Sequence, residues 1–186
     1  MKFLIIGLGN IGSEYELTRH NIGFLVLDRM VDKMNTSFNP DRYGDYAKAK
    51  YKGREFNLVK PSTYMNLSGK AVNYWLQKLK LGNENLLIIV DDIALPFGVI
   101  RMRQRGSSAG HNGLKNIEET FGSQEYNRLR FGIGNDFPKG QQVDYVLSNF
   151  GQEEFDQLPE RMDKSIDMIL SFGTIGIERT MNFFNE

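Results

Sequence analysis

Four short apolar runs rich in Ile, Val and Leu, at Phe3 to Ile6, Phe56 to Val59, Leu86 to Val90 and Leu129 to Ile133, are each ended by Gly, Pro or Asp. Runs of this length and composition read as buried strands. Between them apolar residues recur at spacings of three and four. Phe24, Leu27, Met30, Val31 and Met34 form one such set, and Leu114, Ile117 and Phe121 form another ahead of Gly122. These are helical periods, and strands alternating with helices imply an α/β sandwich. The segment "DYAKAKYKGREFNLVK" instead alternates tightly and turns at Lys52-Gly53, which predicts an antiparallel hairpin joined to the sheet. Met162, Ile166, Ile169 and Leu170 predict a late helix, and Ile177, Met181 and Phe184 another. With 186 residues, 40% of them hydrophobic, and no repeat or linker, the expectation is one domain over residues 1–186. It would be a three-layer sandwich around a mixed, mostly parallel central sheet.

Composition removes several chemistries. The absence of cysteine excludes disulfides, thiolate zinc sites and cysteine nucleophiles, and it fits a reducing compartment. The N-terminal run "MKFLIIGLGN" is too quickly interrupted for a signal peptide, and no apolar stretch approaches the roughly 18–20 residues that span a bilayer. A cytoplasmic protein without membrane contact is expected. Its 23 basic and 23 acidic side chains cancel, so a nucleic-acid partner would have to be met by a local patch. Such a patch is visible. From Val99 to Arg130 six basic residues face three acidic ones, whereas from Gln152 to Glu186 three basic residues face eight acidic ones. In "IRMRQRG", a strand would project Arg101, Arg103 and Arg105 to one side about 6.5–7 Å apart. Alone, that row fits a solvated sheet face as well as a phosphate contact. The further alternation of Arg128 and Arg130 in "NRLRFGIG" favours the contact.

Two motifs fail their context. Gly7, Gly9 and Gly12 have the G-x-G-x-x-G spacing of a dinucleotide turn, which also needs an acid about 20 residues on at the end of the next strand. The candidates Asp28 and Asp32 lie on the polar face of a helical pattern, and "NIGSEYELTRHNIG" reads as a loop where a helix should start. "GSSAG" places Ser108 in a G-x-S-x-G pattern, but only His111 follows, three residues later, and no acid intervenes. That segment reads as a Gly-Ser loop before a helix, whose free N–H groups could receive an anion.

What remains is a set of imidazoles, carboxylates and carboxamides. Each of the two histidines precedes an asparagine, in His20-Asn21 and His111-Asn112. Asn10 and Tyr15 share the first loop with His20, Asn66 lies in "TYMNLSG", and Asp91-Asp92 ends a very apolar strand. Strand ends and the loops after them are where open α/β sheets place their sites, so these segments can converge. With no cysteine, no third histidine and no metal-ligand spacing among the acids, zinc chemistry is not indicated. A neutral imidazole can take a proton from water while a carboxylate fixes its tautomer. Asparagine amides can bind an oxyanion or position water without adding charge. Together this is equipment for hydrolysing an activated bond such as an ester.

The ordered motifs "IIGLGNIGSEYELTRHNIGF", "KPSTYMNLSGKAV", "VDDIALPFGVIRMR", "SSAGHNGLKNI" and "RLRFGIG" resemble the bacterial-type peptidyl-tRNA hydrolases over nearly the whole chain. The resemblance implies that His20 is the general base for water attacking the ester between peptide and tRNA, with Asp91 holding its imidazole. By the same resemblance Asn10 contacts the peptide and helps distinguish blocked from free aminoacyl groups. Asn66 and Asn112 would bind the ester region and ordered water, Tyr15, Tyr64 and Met65 would shape the pocket, and His111 would support the 3′ end. Arg103 and Arg130 match a cationic pair that grips the tRNA 5′ phosphate. A monomer active without cofactor is implied, with a catalytically inactive RNA-binding module on the same scaffold as the alternative. Ala94 stands where many relatives carry an acid.

Overall fold

In the computed structural model, which describes residues 1–185, the apolar runs become the centre of one sheet. Strand β1 (Lys2–Gly7) is flanked by β4 (Arg54–Pro61) and β5 (Leu86–Asp92), and β5 by β7 (Asn127–Gly132). These four strands pair in parallel. Helices cover both faces of such a sheet, so its strands read as continuous apolar runs with no alternation. The flanks are antiparallel: β2 (Asn39–Asp41) and β3 (Gly44–Tyr51) extend one edge, and β6 (Ile100–Arg103) closes the other. The complete order is β2-β3-β4-β1-β5-β7-β6, a mixed sheet that is parallel at its centre.

The hairpin turns where its sequence requires. Lys52 and Gly53 both have positive φ, 47° and 76°, as a two-residue type I′ turn demands. One face of the sheet carries α1 (Ile22–Lys33) and α5 (Gln152–Ile175), packed over Ile5, Leu58, Leu87 and Leu129. The other carries α2 (Ser68–Leu79) and α3 (Asn112–Phe121), packed over Leu4, Ile6, Ile88 and Val90. A short α4 (Gln142–Val146) and a terminal α6 (Ile177–Phe184) complete the chain. No described helix is long and apolar enough to cross a membrane.

The glycine fingerprint serves packing. A Cβ at Gly7 would come within 2.3 Å of the Gly23 carbonyl oxygen, and one at Gly23 within 2.5 Å of the Leu8 nitrogen. The first turn of α1 therefore lies directly on the end of β1. Residues 8–21 form a loop with two 3-10 turns, Ser13–Tyr15 and Arg19–Asn21, and α1 starts only at Ile22. Part of the acidic C-terminal charge is spent inside the fold. Asp163 binds Arg29 at 2.7 Å and Lys33 at 2.9 Å, and Glu154 binds Arg19 at 2.8 Å. Glu186, the last of the eight acids, lies outside the described residues.

Candidate active site

The C-terminal ends of β1 and β5 deliver Asn10 and Asp91 to one cleft, as expected for an open parallel sheet. Asp91 is buried, and its carboxylate is shared. Oδ2 lies 2.8 Å from His20 Nδ1, and Oδ1 lies 2.8 Å from His111 Nε2. Burial alone would raise the Asp91 pKa, but the two imidazoles outweigh it and hold the carboxyl well below the usual carboxylate range. An ionised carboxylate only accepts, so both facing ring nitrogens carry the protons. His20 therefore presents Nε2 as its unprotonated nitrogen. Burial of that ring disfavours the imidazolium, yet the charge and hydrogen bond of Asp91 prevail and the His20 pKa is raised above its ordinary value.

Asn10 is set by Asn21, which nothing in the local sequence marks out beyond its place after His20. Asn21 accepts from the Asn10 backbone N–H at 2.8 Å and donates its Nδ2 to the Asn10 carbonyl at 2.9 Å. This reciprocal pair fixes the Asn10 backbone much as a neighbouring strand would. Asn10 Oδ1 accepts from the Met65 N–H at 3.0 Å, which leaves its Nδ2 as the free donor. His20 is anchored from the other side. The Arg19 guanidinium stacks 4.3 Å over the Tyr145 ring and bonds Ser148, the Asn149 carbonyl and Glu154.

The cleft encloses about 250 Å³ and is lined by His20, Asp91, His111, Asn10, Asn66 and Asn112, together with Tyr64, Met65 and Arg130. Its apolar wall comes from Val143, Val146 and Leu147, in and just after α4, a helix outside the expected elements although these three residues stand at helical spacing. Tyr15 does not line it; that residue sits in the first 3-10 turn, where its carbonyl accepts from Thr18 Oγ1. Asp92, adjacent to the shared carboxylate, meets Arg130 at 3.5 Å and accepts from the Ala94 N–H at 2.8 Å.

The arginine patch is smaller than its sequence suggests. Arg128 is fully buried, with its guanidinium donating to the carbonyls of Gly106, Gln124 and Tyr126. It anchors the loop that leads to His111 and contributes nothing to the surface. Strand β6 ends at Arg103, so Arg105 does not continue the row. Arg103 is exposed, and because Arg101 pairs with Arg130 and Arg103 with Arg128, Arg103 and Arg130 lie diagonally across one ladder. Diagonal neighbours of this kind are separated by about 7–8 Å.

The loop before α3 also differs from expectation. The Gly113 and Leu114 N–H groups do not await an anion, because both donate to His111 Nδ1, at 3.1 and 3.4 Å. With Nε2 committed to Asp91, His111 has no nitrogen left to activate Ser108. His20, Asp91 and His111 offer ligand atoms within 4.8 Å of one another, closer than their sequence spacing implied. Hydrogen bonds engage both carboxylate oxygens and both His111 nitrogens, and His20 Nε2 keeps its lone pair toward the cleft. In this arrangement Asp91 holds one proton on each of the two imidazoles that face it.

Residues 4–186 match the peptidyl-tRNA hydrolase family. The peptidyl-tRNA hydrolase of Cytophaga hutchinsonii is 57% identical over 185 residues, covering 100% of this chain and 98% of the relative. That of Parabacteroides distasonis is 56% identical over 186 residues, covering 100% of both. Among solved structures, peptidyl-tRNA hydrolase from Acinetobacter baumannii has a TM-score of 0.91 at 32% identity, over 98% of this chain and 94% of that one. Agreement of sequence and fold over nearly the whole of each chain is more than a shared scaffold produces, and this chain belongs to the peptidyl-tRNA hydrolase family.

Proposed function

We propose that this chain hydrolyses the ester joining a peptide to the 3′ ribose of tRNA, with His20 as general base. The observation that carries this reading is the Asp91-bound imidazole, whose unprotonated Nε2 shares a cleft with the three asparagines Asn10, Asn66 and Asn112. Water losing a proton to Nε2 attacks the ester carbonyl while Asp91 stabilises the imidazolium; collapse of the tetrahedral intermediate then breaks the C–O bond to the 3′ ribose oxygen, which takes the proton from Nε2. Asn66 and Asn112 supply neutral donors for the oxyanion, and the apolar wall beside Tyr64 and Met65 receives the peptide. The free Nδ2 of Asn10 can donate to the carbonyl of an N-blocked residue. An unblocked ammonium is itself only a donor, so it meets Asn10 unfavourably. Arg103 and Arg130 would bind the 5′ phosphate at the acceptor end, and the enzyme would work as a cytoplasmic monomer without cofactor. A purely RNA-binding role would leave the buried triad of Asp91 and two imidazoles unexplained.

Purified protein is expected to cleave N-acetylaminoacyl-tRNA at least a hundredfold faster than unblocked aminoacyl-tRNA, roughly the value of one oriented donor. Equal rates would overturn the assignment. Replacing Arg103 or Arg130 by alanine should weaken tRNA binding and reduce the slope of log affinity against log salt by about one, as loss of one phosphate contact requires. Unchanged slopes would make this face solvated surface only.

A further inference from the structure

We infer that His111 is a positioning residue, held in one neutral tautomer by the first turn of α3, and that the proton it gives Asp91 limits how tightly that carboxylate grips the His20 imidazolium. The inference rests on the hydrolytic reading only for what His20 does. Geometry supports the tautomer independently. Nδ1 faces two backbone donors, the N–H groups of Gly113 and Leu114, and so cannot itself carry a proton there. Nε2 faces an oxygen of Asp91 at 2.8 Å and must carry one.

Histidine is not among the residues favoured at a helix N-cap, where Ser, Thr, Asp and Asn accept from the first free N–H groups. Those shorter side chains would cap α3 but could not also reach Asp91. The imidazole does both, accepting at one edge and donating at the other. It thereby links the positive end of the α3 dipole to a buried anion. Gly113 permits the close approach, since a Cβ there would lie 2.8 Å from Met65 Sδ, 2.9 Å from Leu8 Cδ1 and 3.1 Å from His111 Cε1.

Few other charges act on His20. Asp91 reaches it from β5, and the His111 ring lies 4.8 Å away, centroid to centroid. Arg130 of β7 lines the same cleft paired with Asp92 of β5. Neighbouring Arg19 is engaged by Glu154 and Tyr145. From α4 the cleft receives Gln142, Val143 and Val146, while Asp144 is exposed, and α1 begins there with the apolar Ile22. Removing the His111 proton from Asp91 would thus concentrate the carboxylate charge on His20 with little else to compensate.

The decisive variant is His111→Asn, which keeps a good cap acceptor but cannot reach Asp91. The chain has only two histidines, so its imidazole NMR spectrum is simple to assign. In the full-length wild-type protein at about pH 7.5, the ¹⁵N shifts of His111 should show Nδ1 unprotonated and Nε2 protonated. In His111→Asn the His20 titration midpoint should rise, and the acid limb of kcat/KM for blocked aminoacyl-tRNA should move to higher pH with it. At neutral pH kcat should fall about tenfold with KM held, the value of one charge-assisted hydrogen bond. A protonated Nδ1 in the wild type would overturn the inference, as would an unmoved His20 midpoint in the variant. A raised KM with an unmoved pH profile would make His111 a substrate contact and overturn it equally. If wild-type protein does not cleave the blocked substrate, the hydrolytic reading fails, while the NMR midpoint still decides the linkage.

Discussion

His20→Ala is expected to lower kcat on N-acetylaminoacyl-tRNA by roughly 10²–10⁴-fold while leaving tRNA affinity within about twofold of wild type. The loss is large because no other group can take over. The second imidazole has both nitrogens committed, Asp91 is held ionised and below the useful range for a base, and Asp92, the other acid lining the cleft, is engaged by Arg130 and the Ala94 N–H. Affinity is preserved because the arginines assigned to phosphate belong to β6 and β7, beyond the β5 strand that carries Asp91, and neither bonds His20. Single-turnover rates and filter binding at matched salt check the two halves separately. A near-wild-type rate would remove His20 from the mechanism.

Asp91→Asn is expected to cost roughly 10³–10⁴-fold in kcat, on the scale of losing the base itself, although both carboxylate oxygens are turned to the two imidazoles. The new amide must place one oxygen and one NH₂ between two imidazoles. His111 is fixed as a donor by its cap on α3, so the amide oxygen turns toward it and the NH₂ turns toward His20. His20 Nδ1 must then accept, its proton moves to Nε2, and the nitrogen facing the cleft is no longer a base. A double variant with His111→Asn should recover part of the rate, because the amide is then free to present its oxygen to His20.

The same substitution has a defined pH signature in stability. The His20 pKa is raised by Asp91, so the linkage contributes fully below the ordinary imidazole value of 6.5 and is lost as pH rises through the folded value. Asp91→Asn should therefore destabilise more at about pH 5.5 than at about pH 8.5. Equal losses at both would show that the pair is not coupled as the geometry requires.

Much of this molecule is legible in its sequence, and the illegible parts share a cause. The four core strands, α1, α3 and the type I′ hairpin follow from contiguous patterns, because burial on both faces and a two-residue turn are local requirements. Helix α2 was not among the expected elements, although Ala71, Val72, Trp75 and Leu76 repeat at helical spacing and are buried. Its start follows a 3-10 turn, and no cap side chain marks it. Alternation placed Arg128 beside Arg130 on a cationic surface. Sheet register does put them on one face, but the loop through Gly106 folds over Arg128 and buries it.

The sequence by itself determined the class of fold, the exclusion of thiol chemistry, the supply of imidazole, carboxylate and amide groups, and the family. Tertiary structure decided how those groups are shared. Asp91 meets one imidazole 71 residues away and another 20 residues away, and Asn21 locks Asn10 across 11. Periodicity and composition report on what a segment buries. Which nitrogen holds a proton depends on every donor and acceptor brought within about 3 Å, and only the packed fold sets that.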